Sequence, residues 1–169
     1  MARLPYFDYS VLDDAEQDFF SKMPKLNIFR MLAHAGSIRR EFIKLGAAIL
    51  SNQKLDPLLR EMAIIRTGIL CGSTYEVHHH TIIARKLKMP REKIEALSAG
   101  SSSPVFDELE RLVLRMTEEI FEKRKAGDET FGALAARLSH AEMIELTIAI
   151  GYYQMASCFL ETFQVDIEQ

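Results

Sequence analysis

The stretch Asp56-Pro57-Leu58-Leu59-Arg60-Glu61-Met62-Ala63-Ile64-Ile65-Arg66-Thr67-Gly68-Ile69-Leu70-Cys71-Gly72 decides the fold class. Asp56 before Pro57 reads as an N-cap with proline at the first helical position, where its missing N–H costs nothing. Gly72 supplies the stop, because a helix commonly ends on a residue in the left-handed region that only glycine enters freely. Between them the apolar residues Met62, Ala63, Ile64, Ile65, Ile69 and Leu70 fall almost all round the helix. A helix apolar on every side belongs at the centre of a domain.

Outward from this segment the chain keeps reading as helix. Upstream, helices are predicted over about residues 11–22, stopped near Pro24, over 26–35, broken at Gly36-Ser37, and over 38–50, where Phe42, Leu45, Ile49 and Leu50 share one face. Downstream, a helix opens at Ser73 and carries residues 75–87, a short one follows Pro90, and Ser102-Ser103-Pro104 opens a long amphipathic one to about Lys125. Gly127-Asp128 precedes a helix to Leu138. Ser139-His140-Ala141-Glu142 is a capping box that opens the last helix, ending near Phe163. No stretch combines period-two alternation with β-branched enrichment, so no sheet is expected. The expectation is one all-α domain over residues 1–169, compact, with short loops that favour antiparallel neighbours.

The whole-chain quantities bound the function. A chain of 169 residues buries roughly two thirds of its unfolded surface and needs neither metal nor disulfide to fold. Net charge is −3 and no segment carries a basic stripe, which argues against a nucleic-acid partner. The two cysteines, Cys71 and Cys158, sit in apolar surroundings and read as reduced, core-facing thiols. The N-terminus lacks an apolar signal core and no run of eighteen apolar residues occurs, so neither a membrane span nor export is expected and the default location is the cytoplasm. The last helix is apolar on more than one side, through Ile144, Leu146, Ile148, Tyr152, Met155 and Phe159 among others, which predicts that part of it is a subunit interface. Glu118-Glu119 with Glu122-Lys123-Arg124-Lys125 reads as a solvated face.

Chemistry concentrates between Glu61 and His80. A carboxylate on an otherwise buried helix must be paired, hydrogen-bonded or protonated, since an unpaired buried charge costs several kcal/mol; Arg60 and Arg66 flank it. Glu76 and His80 are four apart and share a helical face that Ile83, Ala84 and Leu87 extend. Two carboxylates and an imidazole in apolar surroundings can move protons. Ser73-Thr74-Tyr75-Glu76 is also a capping box, which would make both ends of it helix-starting residues. The helix N-terminus there favours an anion, while Glu76 on the same turn repels one unless protonated. Neighbours in the run His78-His79-His80 point about 100° apart, so all three cannot ligate one metal, and no metal is assigned. His78 and His79 are expected at solvent or a subunit contact, and Tyr75 as a packed aromatic with a satisfied hydroxyl.

The order Glu61, eleven residues, Ser73, two residues, Glu76, three residues, His80 resembles the signature of the carboxymuconolactone decarboxylase superfamily, which includes alkylhydroperoxidase D-like proteins. Leu55-Asp56-Pro57 before Arg60-Glu61, Tyr75-Glu76, Ala84, Met89 to Ile94, and Gly151-Tyr152-Tyr153 match as well, so the resemblance spans about residues 29–163. It implies an alkylhydroperoxidase D-like helical fold, a homo-oligomer such as a trimer or hexamer, and a glutamate–histidine proton relay. It implies no organic cofactor. In the peroxidase branch a Cys-x-x-Cys pair cycles between dithiol and disulfide. In this register Ser73 and Glu76 hold those positions, so that chemistry is absent. A second register, Cys71, Thr74 and His78, leaves one cysteine and shifts the spacing to Glu61.

Three functions stay open at this level. One is non-redox acid–base chemistry, decarboxylation or a related lyase or hydrolase reaction, on a small organic acid or lactone. His80 would be the principal proton-transfer group, Glu61 its orienting partner and Glu76 a second acid or base, with Ser73, Tyr75 and His79 contacting the small-molecule substrate. The others are antioxidant peroxidase activity of the family kind, with Cys71 as a lone thiol, and a non-catalytic binding or scaffold role.

Overall fold

The computed structural model describes residues 1–51 and 53–168. Among them run nine α-helices: α1 (Asp14–Ser21), α2 (Asn27–Leu32), α3 (Ile38–Leu50), α4 (Pro57–Leu70), α5 (Thr74–Lys86), α6 (Arg91–Ala96), α7 (Glu108–Lys123), α8 (Asp128–Ala135) and α9 (His140–Phe163). The described residues contain no strand, so the all-α expectation holds.

The apolar segment between Asp56 and Gly72 is the central helix. α4 packs against α5, α7 and α9, and every residue from Leu59 to Ile65 is buried. Its N-terminus is capped as read: the Asp56 carboxylate accepts from the amides of Leu58 and Leu59 at 2.7 and 3.3 Å. Gly72 takes φ +70 and reverses the chain, so that α5 returns along α4. α9 opens with the capping box at Ser139 and Glu142. It buries Leu146, Ala149, Ile150, Tyr153, Ala156 and Leu160. α9 is long and apolar enough to cross a bilayer by length and composition. In this fold it is a core helix packed on α4.

Two apolar clusters hold the N-terminal third of the chain against this core. Ile49 of α3 meets Ile64 of α4 and Ala149, Tyr152, Tyr153 and Ala156 of α9. The segment before α3 adds a second cluster around Phe20, Leu32, Ala33 and Ile43. α3 approaches α9 closely at Gly46, where a Cβ would collide with the Tyr152 hydroxyl. That hydroxyl donates to the Phe42 carbonyl at 3.0 Å.

Several sequence expectations are corrected. The helix expected over 11–22 starts only at Asp14, where Asp13 accepts from the Glu16 amide. The long helix expected from Ser102-Ser103-Pro104 opens at Glu108, because Asp107 and Glu110 form a reciprocal capping box three residues beyond Pro104; Gly100–Ser102 is a 3-10 turn. Ser73 stands at the N-cap of α5 but its hydroxyl makes no capping bond, so the capping box expected at Ser73 and Glu76 does not form. Cys158 is exposed and Cys71 only half-buried, both free thiols, since the faces of α9 and of the α4 C-terminus that carry them are not covered. Leu45 is exposed. Glu118 and Glu119 are not a solvated face: Glu118 pairs with Arg66 and accepts from Ser101, and Glu119 accepts from the Gly127 amide and the Thr130 hydroxyl.

Candidate active site

Glu61 is fully buried in α4 and has two partners. The Arg60 guanidinium holds Oε1 at 3.0 and 3.1 Å, and His80 Nδ1 lies 2.7 Å from Oε2. A carboxylate only accepts, so Nδ1 carries the proton and Nε2 is left to face the other way. Arg60 is therefore the neutralising arginine; Arg66 is engaged by Glu118. On α5, His80 Nε2 stands 3.4 Å from Glu76 Oε2, as the spacing of four predicts. The result is a row: Arg60, Glu61, His80, Glu76. The Tyr153 ring packs edge-on against the His80 ring, centroids 4.6 Å apart, and fixes its plane.

The row ends in a cavity of about 460 Å³. Glu76 and His80 line it, with Tyr75 and His79 beside them on α5 and Tyr152 and Tyr153 from α9. Apart from Lys86 the remaining wall is apolar and comes largely from before α4: Met23, Pro24, Leu26, Ile28, Phe29, Ile43, Leu50. Neither Glu61 nor Ser73 lines it. Glu61 acts from behind His80, and the Ser73 hydroxyl is buried without a partner. Cys71 is also absent from the wall.

Electrostatics follow from burial. Loss of water raises the Glu76 carboxyl to about 7, with the Glu61 charge adding to the rise and His80 opposing it. Burial drives Tyr153 well above its ordinary value, and Tyr152 also upward, so both remain phenols. Burial likewise pushes the Cys71 thiol up, only partly offset by the nearby Ser157 hydroxyl, which works against a reactive thiolate.

Tyr75 and His79 are tied down from a part of the chain that carried no signal. Glu168, after α9, accepts from the Tyr75 hydroxyl at 2.7 Å and lies 2.9 Å from His79 Nε2. The amide of Asn27 donates to the same carboxylate. Burial opposes ionisation of Glu168, but the Asn27 amide, the Tyr75 hydroxyl and His79 together hold its carboxyl below the ordinary value. Tyr75 thus has the satisfied hydroxyl expected of it. His79 is half-buried between Tyr75 and Glu168 rather than at solvent, while His78 is exposed. Among the described residues no three His, Cys, Asp or Glu side chains are arranged to hold a metal ion.

The model of the carboxymuconolactone decarboxylase family matches residues 38–119. Over that span, just under half of the chain, the sequence is similar to that family. The matched region holds Arg60, Glu61, Glu76 and His80 but stops within α7. Tyr152, Tyr153 and the wall from Met23 to Phe29 therefore lie outside it. Solved structures agree on the fold. An uncharacterized peroxidase-related protein of Ralstonia eutropha JMP134, with the alkylhydroperoxidase AhpD core, superposes with a TM-score of 0.85 at 16% identity, over 99% of this chain and 93% of that one. An uncharacterized peroxidase-related protein of Silicibacter sp. TM1040 gives 0.82 at 16% identity, over 98% and 90%. The debrominase Bmp8 gives 0.71 at 19% identity, over 85% and 77%; one structure of it holds 2,3,4-tribromopyrrole. No curated protein matches the sequence.

Three residues of the site escaped the sequence reading. Lys86 lines the cavity, and continuing the face of Glu76 and His79 down α5 would have reached it. Tyr153 was read as an apolar residue of the last helix and as part of the family-like Gly151-Tyr152-Tyr153, with no role in the site. Glu168 had no local signal at all, because its partners lie far away in the chain.

Proposed function

We propose that the chain is an enzyme that moves protons on a small organic molecule without redox chemistry. The observation that carries this is the Glu76 carboxyl: it faces an apolar cavity, is raised to about 7 by burial, and stands beside an imidazole already oriented by a second carboxylate. A carboxyl poised near neutral pH can both give and take a proton. Glu61 fixes the His80 tautomer and ring, and Arg60 pairs with Glu61 in the core.

On a small organic acid or lactone these groups suit decarboxylation or a related lyase step. When a carboxylate leaves as CO₂, the carbon–carbon bond breaks and its electron pair stays on the remaining carbon; a proton from Glu76 or His80 then closes that carbon's valence. The reverse assignment, proton removal from carbon beside a carbonyl, uses the same two groups as base. Peroxide reduction is a poorer fit, since Ser73 and Glu76 replace the family's cysteine pair and Cys71 is off the cavity wall with its thiol pushed up.

The test is turnover of a substrate found by screening small acids and lactones. His80→Ala and Glu61→Gln are expected to abolish it, with helical circular dichroism intact. Full turnover in both variants would overturn the reading. The resemblance also implies a homo-oligomer. Ile144, Ile148 and Met155, exposed in one row along α9, support a second copy as its occupant. Light scattering is expected to give a multiple of the chain mass.

A further inference from the structure

With the acid–base reading as its premise, the shape and charge of the cavity point to a class of substrate. Two groups of opposite character stand apart along α5 on the cavity lining: Glu76 with His80, and Lys86, six residues past His80 and in line with His79. Six residues are about 9 Å of helix rise. The wall between is apolar, with Phe29, Ile43 and Leu50 among its residues. The ion pairs of α5 and its neighbours engage Arg60, His79, His80 and Arg91. Lys86 is exposed and has no carboxylate partner among the described residues.

An anion seated at the Glu76 end would lie beside one carboxyl with the buried Glu61 carboxylate just behind His80, whereas Lys86 offers an ammonium, so negative charge belongs at the Lys86 end. A second negative charge on the ligand would have to sit against apolar side chains or Glu76, with no further cation on the wall, and burying it so is costly. A volume of about 460 Å³ lies within the range of sites that enclose small ligands.

We propose that the cavity takes an apolar monoanion, a carboxylic acid with an aryl or alkyl body, anchored by its carboxylate at Lys86 with its reacting carbon at Glu76 and His80. The anchoring carboxylate is not the group that reacts, so of the steps above this ligand selects proton removal from carbon beside a carbonyl over decarboxylation. It sets the register of the molecule along α5, and the apolar wall selects against short polyacids.

Calorimetric titration of the full chain tests this with 4-phenylbutanoate, its neutral isostere 4-phenylbutan-1-ol, and citrate. The acid is expected to bind about tenfold tighter than the alcohol, the factor one charge-assisted contact supplies, and citrate not to bind. Lys86→Met should bring the acid down to the affinity of the alcohol and leave the alcohol unchanged, while Lys86→Arg retains the difference. Ala47→Phe, which narrows the cavity from α3, should weaken both phenyl ligands with helical circular dichroism unchanged. Equal affinity for acid and alcohol, an unaltered acid affinity in Lys86→Met, or citrate binding as well as the acid would each overturn the proposal. Failure of the acid–base reading is separately visible. If the acid binds as stated but His80→Ala keeps full turnover, the chemistry falls and the ligand class stands. If Lys86→Met changes nothing while His80→Ala abolishes turnover, the reverse holds.

Discussion

Glu76 is a residue whose environment sets its chemistry. A carboxyl on the first turn of a helix is ordinarily ionised and stabilised by the helix dipole. Here burial outweighs that and lifts it from its ordinary 4.5 to about 7. Between those two values the folded protein holds a proton that the unfolded chain has already lost. The stability contributed by this group is therefore complete below about pH 4.5 and is lost as pH rises through about 7. A rise of this size corresponds to about 3 kcal/mol. Glu76→Gln removes the titration, so its stability relative to wild type should increase by that order between about pH 4.5 and 8, read by urea denaturation at each pH. In the reaction the same group should give the rate profile a limb near pH 7 that is missing in Glu76→Gln.

At the scale of elements, the site depends on how closely three helices approach. α4 and α5 bring Glu61 to His80, and α9 lays Tyr153 against the imidazole. α3 supplies the cavity wall and can reach α9 only because residue 46 has no side chain. Gly46→Ala should push the Tyr152 hydroxyl off the Phe42 carbonyl and prise α3 from α9. The expected cost is about 1–3 kcal/mol, the range for overpacking a close contact, measured as a lowered urea midpoint. Among pairs of an aspartate or serine with a glutamate three residues on, Ser139 was read as the cap it is, while Asp13–Glu16 and Asp107–Glu110 were passed over for starts a few residues earlier. At Ser73 the same pattern failed, because Glu76 is drawn to His80 in the interior and the serine is left without its partner. Local motifs report what a side chain can do; packing decides which of its options is taken.

Across the whole molecule, residues distant in sequence share one charge network. Glu168 joins the chain after α9 to Tyr75 and His79 on α5 and to the start of α2. Asp166 beside it binds the Ala2 amide and the Tyr6 hydroxyl, so the two ends of the chain meet beside the start of α2. Burial lowers His79 below its ordinary value, and the Glu168 charge is the main force opposing that. Glu168→Gln should therefore move the His79 titration further down, followed by the ring proton shifts in NMR. An unmoved titration would show that the contact carries no coupling.

The sequence by itself determined the helical class, the central position of α4, its cap and stop, and the face that carries Glu76 and His80. Each is written in spacing of a few residues, where the helix period acts directly on the chain. It also showed that Glu61 needed a partner, because a buried charge is too costly to leave alone. Only the tertiary structure decided which partner: Arg60 holds Glu61 while Arg66 goes to Glu118. Only the tertiary structure turned Glu76 from a capping residue into a cavity-facing acid, left Ser73 and Cys71 off the wall, and brought Lys86, Tyr153 and Glu168 to it or behind it. Those outcomes depend on desolvation and on contacts between distant segments, and both exist only once the helices have packed.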